Sequence, residues 1–96
     1  MMRIAVDAMG SDRPPLPEVE GAVQAAATGG FEIVLVGDEA RLKAALEAYP
    51  KRSNITVVHA SEAITMHDLP VVIRRKRDSS LAVALRMHKR GEVDAV

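Results

Sequence analysis

The 96-residue sequence has no cysteine and no tryptophan, one phenylalanine (Phe31) and one tyrosine (Tyr49). Without cysteine the chain has no disulfide framework, no thiolate zinc site and no cysteine nucleophile. With so few aromatic rings, base stacking is a poor route to nucleic acid, so we expect no nucleic-acid partner. No apolar run approaches the roughly 18 residues of a membrane span, and the N-terminus lacks a signal-peptide layout. These absences favour a cytoplasmic protein.

The whole chain has no excess of either charge, because 13 Lys and Arg balance 13 Asp and Glu. The two halves differ, however. Residues 1–50 carry four basic and eight acidic groups, and residues 51–96 carry nine basic and five acidic ones. Four of those nine basic residues are consecutive, from Arg74 to Arg77. This run is the one local charge feature large enough to attract an anion.

Short apolar runs alternate with segments of helical periodicity. The predicted strands cover residues 3–9, 31–36 and 54–59, and the predicted helices cover about 17–28, 39–49 and 80–90. This alternation predicts a three-layer α/β/α fold with a mainly parallel sheet, in one domain over residues 1–96. A further apolar segment begins at Asp94. We therefore interpret the chain as the N-terminal part of a larger α/β enzyme.

The loop after the first predicted strand is one candidate site, because ligands of doubly wound sheets bind at the carboxyl ends of strands. It carries two carboxylates, Asp7 and Asp12, beside the small pair Gly10 and Ser11. Such a group can hold a hydroxyl, a water or a cation. The alternative is an ordinary polar turn, with Gly10 at a positive φ and Asp12 as a local cap.

The second candidate site is the basic run that ends in Asp78, Ser79 and Ser80 directly before a predicted helix. Helix N-termini present unpaired amides and partial positive charge, which suits phosphate. Cations and two hydroxyls would strengthen such a site. The alternative is a solvated basic loop with a serine cap, since no P-loop accompanies the run. The three histidines are not at metal-ligand spacing, so we predict no metal site.

Several segments resemble the bacterial phosphate acyltransferases of fatty-acid and phospholipid synthesis. The matching segments are MRIAVDAMGSD at Met2–Asp12, LVGD at Leu35–Asp38, HASEAITM at His59–Met66, RKRDSS at Arg75–Ser80, and GEVDAV at Gly91–Val96. Three positions in the loop after the first predicted strand depart from the family pattern, and His67-Asp68-Leu69 is looser than the acidic pair often seen after Met66. Ser11 stands where the family has a second glycine, and Arg13-Pro14 stands where His-Ala is usual.

The resemblance implies a phosphotransacetylase-like fold and a homodimer without metal or redox cofactor. It also implies transfer of a long-chain acyl group from acylated acyl carrier protein to inorganic phosphate, at the inner face of the cell membrane. On this hypothesis Lys76, Asp7 and Asp12 are the candidate catalytic residues, the two aspartates organising their loop. The candidate binding residues for phosphate or substrate are Gly10, Ser11, Arg75, Arg77, Ser79 and Ser80.

A second hypothesis remains open from the sequence. The chain is then a non-catalytic α/β module that binds a phosphate-bearing ligand or pairs with a full-length copy. We expect no turnover from the 96 residues alone under either hypothesis.

Overall fold

The computed structural model describes residues 2–11, 13–50, 54–62 and 76–96. In chain order these contain β1 (Met2–Asp7), α1 (Leu16–Ala27), β2 (Phe31–Gly37), α2 (Glu39–Leu46), β3 (Ile55–His59) and α3 (Ser80–Lys89). Each helix and strand lies where the sequence predicts one. The described part of the chain includes no helix with the length and apolar character needed to cross a bilayer.

Two predicted ends differ from the structure by two residues or more, and the other ends agree to within one residue. The first strand ends at Asp7, two residues before its predicted end, and Ala8 and Met9 form a turn. Helix α2 ends at Leu46 instead of Tyr49. There the chain tightens into i→i+3 bonds, with the amide of Tyr49 donating to the Leu46 carbonyl at 2.9 Å. Pro50 follows, and a residue before proline avoids the helical conformation.

The sheet is parallel, with β2 between β1 and β3. The edge of β1 that faces away from β2 is also paired, because Ile4 forms a parallel bridge with Ala95. The amide of Asp94 donates to the Arg3 carbonyl at 2.7 Å, and the amide of Ala5 donates to the Ala95 carbonyl at 2.9 Å. Spatial order is therefore β3, β2, β1 and then the segment at Ala95.

Helices cover both faces of the sheet, which confirms the predicted three-layer arrangement. Alternate residues of β2 point to opposite faces, as the pleat of a strand requires. One face packs against α1 and α2 through buried residues that include Val19, Ala22, Ile33, Leu35, Leu42 and Leu46. The other face packs against α3 through a second buried group, formed by Ala5, Val34, Val36, Ala60, Ala84 and Val93.

Local sequence explains where the helices begin and end. Pro17 lies in the first turn of α1, where its missing amide hydrogen costs nothing. The side chains of Asp38 and Ser79 cap α2 and α3, accepting from the amides of Arg41 at 3.2 Å and Ala82 at 3.1 Å. Gly91 takes a φ of 76° directly after α3, a conformation that favours glycine.

Candidate functional site

The sheet contains a topological switch at the edge of β1. From β1 the chain moves outward through α1 to β2 and through α2 to β3, and both helices lie on the same face. It then returns through α3 on the opposite face to pair with the other edge of β1. In doubly wound sheets, ligands bind outside the carboxyl ends of the strands at such a reversal. The carboxyl end of β1 is Asp7.

Asp7 is held by two donors at one carboxylate oxygen. Its Oδ1 accepts a hydrogen bond from the hydroxyl of Ser80 and another from the amide of Met9 at 3.1 Å. Ser80 is completely buried in the first turn of α3. Among the described residues no donor engages Oδ2. Oδ2 is the second oxygen, and it lies on the side of Gly10.

Gly10 lies against that second oxygen. A Cβ built on Gly10 would be 3.2 Å from Oδ2 of Asp7. The sequence-based alternative of a turn with Gly10 at a positive φ is wrong, because positive φ among the described glycines occurs only at Gly29, Gly30 and Gly91. Close approach to the carboxylate, and not a left-handed backbone, is what suits glycine to this position.

The rest of the β1–α1 loop is tied to two helices. Ser11 donates to Glu18 twice, from its hydroxyl to Oε1 at 2.9 Å and from its amide to Oε2 at 3.3 Å. Glu18 is in the first turn of α1. Farther along the loop, the Arg41 guanidinium on α2 donates to the Pro14 carbonyl at 2.5 Å. The loop thus has fixed points on both helices of one layer.

Met9 packs directly over the end of β2. A Cβ on Gly37 would lie 2.6 Å from Cγ and 2.9 Å from Sδ of Met9, so only glycine leaves room for this side chain. Met9 is buried. The amide of Ala8 also donates to the Val36 carbonyl at 2.9 Å. These contacts hold the start of the loop against the neighbouring strand.

The entrance of α3 is pinned to the segment that follows β3. The amide of Glu62 donates to the Asp78 carbonyl at 3.1 Å, and the amide of Ser80 donates to the Glu62 carbonyl at 3.0 Å. Ser79 is completely buried, and its hydroxyl oxygen caps the helix. Both serine hydroxyls predicted to bind phosphate are therefore engaged with protein groups.

The described basic residues of the run lie in the turn before that entrance. The amide of Ser79 donates to the Lys76 carbonyl at 3.1 Å, which closes the turn. Arg77 is exposed, and its carbonyl accepts from the Arg86 guanidinium at 2.5 Å. Arg86 also approaches Asp78 at 3.8 Å. A cation on α3 thus steadies the backbone of the basic turn.

The carboxyl ends of β2 and β3 are joined through the start of α2. The amide of Glu39 donates to Nδ1 of His59 at 3.2 Å, so this histidine has a structural partner. The Lys43 ammonium lies 2.9 Å from the Glu39 carboxylate. Hydrogen bonding to Lys43, followed by its charge, lowers the pKa of Glu39 below its ordinary value. His59 adds a smaller contribution in the same direction.

Two of the predicted site residues, Asp12 and Arg75, lie outside the described residues, as does His67. Of the rest, the structure brings Asp7, Gly10 and Ser80 together and places Ser79 beside them. Within residues 2–11, 13–50, 54–62 and 76–96, no three His, Asp or Glu side chains converge as metal ligands would. Sequence reasoning missed Glu18, although an acidic residue in the first turn of a helix is a recognised stabilising pattern.

These features define a doubly wound α/β protein whose candidate site lies at the switch point of its sheet. Residues 2–96 match the model of a family described as fatty acid synthesis protein. The chain therefore belongs to the fatty acid synthesis protein family.

Relatives in that family carry a more specific name. The chain is 50% identical over 95 residues to the phosphate acyltransferase of Koribacter versatilis, 46% identical over 96 residues to that of Moorella thermoacetica, and 48% identical over 97 residues to that of Geobacter sulfurreducens. These alignments cover 96–99% of this chain but only 26–28% of each relative. The chain thus spans about a quarter of the length of the relatives it matches.

Proposed function

We propose that this chain forms the phosphate side of an active site that transfers a long-chain acyl group from acyl carrier protein to inorganic phosphate. The observation that carries the proposal is the hydrogen bond between Ser80 and Asp7. It joins the basic turn and the start of α3 to the carboxyl end of β1, at the switch point where such sheets bind ligands. Relatives named phosphate acyltransferase support the choice of reaction.

The reaction sets two demands on the site. A phosphate oxygen attacks the thioester carbonyl carbon, a C–O bond forms, and the C–S bond breaks with its electron pair leaving on sulfur, which takes up a proton. Phosphate must be held in position for the attack, and the charge that develops on the carbonyl oxygen must be stabilised. A site rich in cations and helix amides meets the first demand.

We assign the phosphate charge to Lys76 and Arg77, in the turn before α3. In the first turn of α3 the amides of Ser80 and Ala82 are bonded to Glu62 and Ser79, whereas that of Leu81 meets no acceptor among the described residues. The Leu81 amide is therefore the backbone donor we assign to phosphate. Asp12 and Arg75 keep the roles predicted for them from the sequence.

The two serines and Asp7 act as supports in this proposal. Ser79 fixes the first turn through its cap, and Ser80 fixes Asp7. Gly10 and Ser11 shape the loop beside them. A negative carboxylate repels phosphate, so Asp7 organises the loop and the helix start and leaves direct phosphate contact to the cations.

The test is a Lys76→Ala substitution in a hybrid enzyme, with this chain in place of the quarter of the Moorella thermoacetica enzyme that it matches. We expect the phosphate KM to rise about tenfold or more, with a smaller change in the KM for acyl carrier protein, since one charged contact is worth about 1.5–3 kcal/mol. Lys89→Ala is the matched control, because Lys89 is exposed in the last turn of α3, at its opposite end.

Unchanged phosphate KM in the Lys76→Ala hybrid would remove Lys76 from the site. A parent hybrid that folds but forms no acyl phosphate would favour the non-catalytic module instead. Phosphate titration of the 96-residue chain by amide NMR gives a second readout. We expect shifts at the Leu81 and Ser80 amides that the Lys76→Ala change abolishes.

A further inference from the structure

We propose that Glu18 is a positioning residue of the site, which acts by holding Ser11 through both of its carboxylate oxygens. Oε1 accepts from the Ser11 hydroxyl at 2.9 Å and Oε2 accepts from the Ser11 amide at 3.3 Å. Its effect on turnover rests on the proposed function, whereas its effect on the loop does not. Glu18 touches no reacting group in this assignment and acts only through the loop.

Glu18 can fix the loop because its own backbone is fixed. It belongs to the first turn of α1, and its neighbour Val19 is completely buried in the core between that helix and the sheet. Ala22, one turn further, is buried in the same core. The carboxylate also lies at the N-terminal end of its helix, where the helix dipole favours negative charge. Through Glu18, Ser11 is held at a fixed place relative to the packed helix α1.

The path from Ser11 to the site is short. Ser11 follows Gly10, and Gly10 lies so close to Asp7 that a Cβ there would be 3.2 Å from Oδ2. The other oxygen of Asp7 is already held by Ser80 and by the Met9 amide. The position of Ser11 therefore sets the space beside the one oxygen of Asp7 that no described donor engages.

The Ser11 side chain adds a second bond to this contact. The hydrogen bond from the backbone amide to Oε2 does not need a side chain, whereas the hydrogen bond to Oε1 needs the serine hydroxyl. A glycine at position 11 would keep the first and lose the second. We therefore expect the serine to hold the loop more firmly than the glycine of the family pattern would.

The experiment combines Glu18→Gln, Ser11→Ala and the double variant, with Glu20→Gln as control. Glu20 is exposed on the same helix, so its substitution removes the same charge without touching the loop. In the 96-residue chain we expect Glu18→Gln to speed exchange of the Ser11 amide about tenfold and to shift the Gly10 amide resonance, since a lost charged bond is worth about 1.5–3 kcal/mol. Ser11→Ala should shift the Gly10 resonance by a smaller amount.

The kinetic measurements are made on the same variants of the hybrid enzyme. We expect Glu18→Gln to lower kcat about tenfold with the phosphate KM changed less than about twofold, because misplacement of the loop disturbs geometry and not phosphate charge. The double variant should be no worse than Glu18→Gln alone, because both changes remove one contact. Ser11→Gly should reproduce the effect of Ser11→Ala.

Four results would overturn the proposal. They are wild-type exchange at Ser11 in Glu18→Gln, additive kinetic losses in the double variant, an equal loss in Glu20→Gln, and a change in KM with kcat intact. If Glu18→Gln unfolds at the assay temperature, the milder Ser11→Ala variant carries the same comparisons. An inactive parent hybrid would contradict the proposed function, and the amide measurements would still decide the role of Glu18.

Discussion

The Ser80 hydroxyl donates a hydrogen bond to Oδ1 of Asp7 across a separation of 73 residues. One partner is the last residue of the first strand, and the other is the first residue of α3. The contact joins the acidic half of the sequence to the basic half. Asp7 is thereby held between a side-chain donor from α3 and the backbone of its own loop.

Replacement of Ser80 by alanine tests the energetic weight of this contact. We expect Ser80→Ala to lower the free energy of unfolding by about 1–3 kcal/mol, because a hydrogen bond to a carboxylate is lost where water does not replace it freely. Urea unfolding of the 96-residue chain measures the change. Exchange of the Met9 amide, which shares the same carboxylate oxygen, should also become faster.

Ser79→Ala is the control for that experiment. It removes the N-cap of α3 and should cost about 1 kcal/mol. It leaves the bond to Asp7 in place, so exchange at Met9 should stay as in the parent chain. A Ser80→Ala chain as stable as the parent would mean that the contact contributes little to folding.

Gly37→Ala tests the close packing of Met9 over β2. We expect a loss of about 1–3 kcal/mol in stability, because the new Cβ would overlap the Met9 side chain. Adding Met9→Ala should make the double variant more stable than the sum of the two single losses predicts. Thermal and urea unfolding measure all three chains.

Gly21→Ala is the matched glycine control. Gly21 lies within α1 on its exposed side, and a Cβ there meets nothing within 4 Å. This substitution should stabilise the chain by up to about 1 kcal/mol, since alanine is the better helix former. If Gly37→Ala behaved in the same way, the close approach of Met9 would not constrain the fold.

The lowered pKa of Glu39 predicts a specific dependence of stability on pH. Because Lys43 lowers the pKa of Glu39 in the folded chain, their interaction stabilises the fold above the ordinary pKa of 4.5. That contribution is lost as the pH falls through the folded pKa. We therefore expect the stability difference between the parent and Lys43→Gln to be present at pH 6 and to shrink as the solution is acidified below 4.5.

The urea midpoints of the two chains between pH 6 and pH 2 measure this difference. It should also shrink in about 1 M salt, because the pair is exposed and salt screens it. Lys89→Gln serves as the control, and its difference from the parent should show no step in this range. A constant difference for Lys43→Gln across the range would contradict the lowered pKa.

Much of the fold could be predicted because its signals are local. The apolar run at Phe31–Gly37 forms a buried strand, and Ser79 caps α3, as expected from the sequence. The end of α2 was less predictable, because a helical pattern runs to Tyr49 although the last turn tightens before Pro50. Which edge of the sheet pairs with Ala95 depends on tertiary packing, and no short sequence pattern indicates it.

The candidate site was predictable in its location but not in its contacts. The carboxyl end of the first strand follows from the fold class, and Asp7 and Gly10 lie there. The partners of those residues depend on how distant elements pack. Nothing near Ser80 in the sequence indicates that its hydroxyl bonds Asp7. The pairing of Ser11 with Glu18 follows a local pattern of an acid in the first helical turn, which could have indicated it.

The bridge between Ile4 and Ala95 has a consequence for the order in which the chain becomes structured. β1 lies between a strand that begins at Phe31 and a segment that ends the sequence. Pairings of such wide sequence separation form slowly, because a long loop must close before they contribute. During synthesis, β1 precedes the other strands that the structure describes, and its edge toward Ala95 stays open until residue 95 has left the ribosome. Among the described strands, β2 can therefore have both of its edges paired before β1 does.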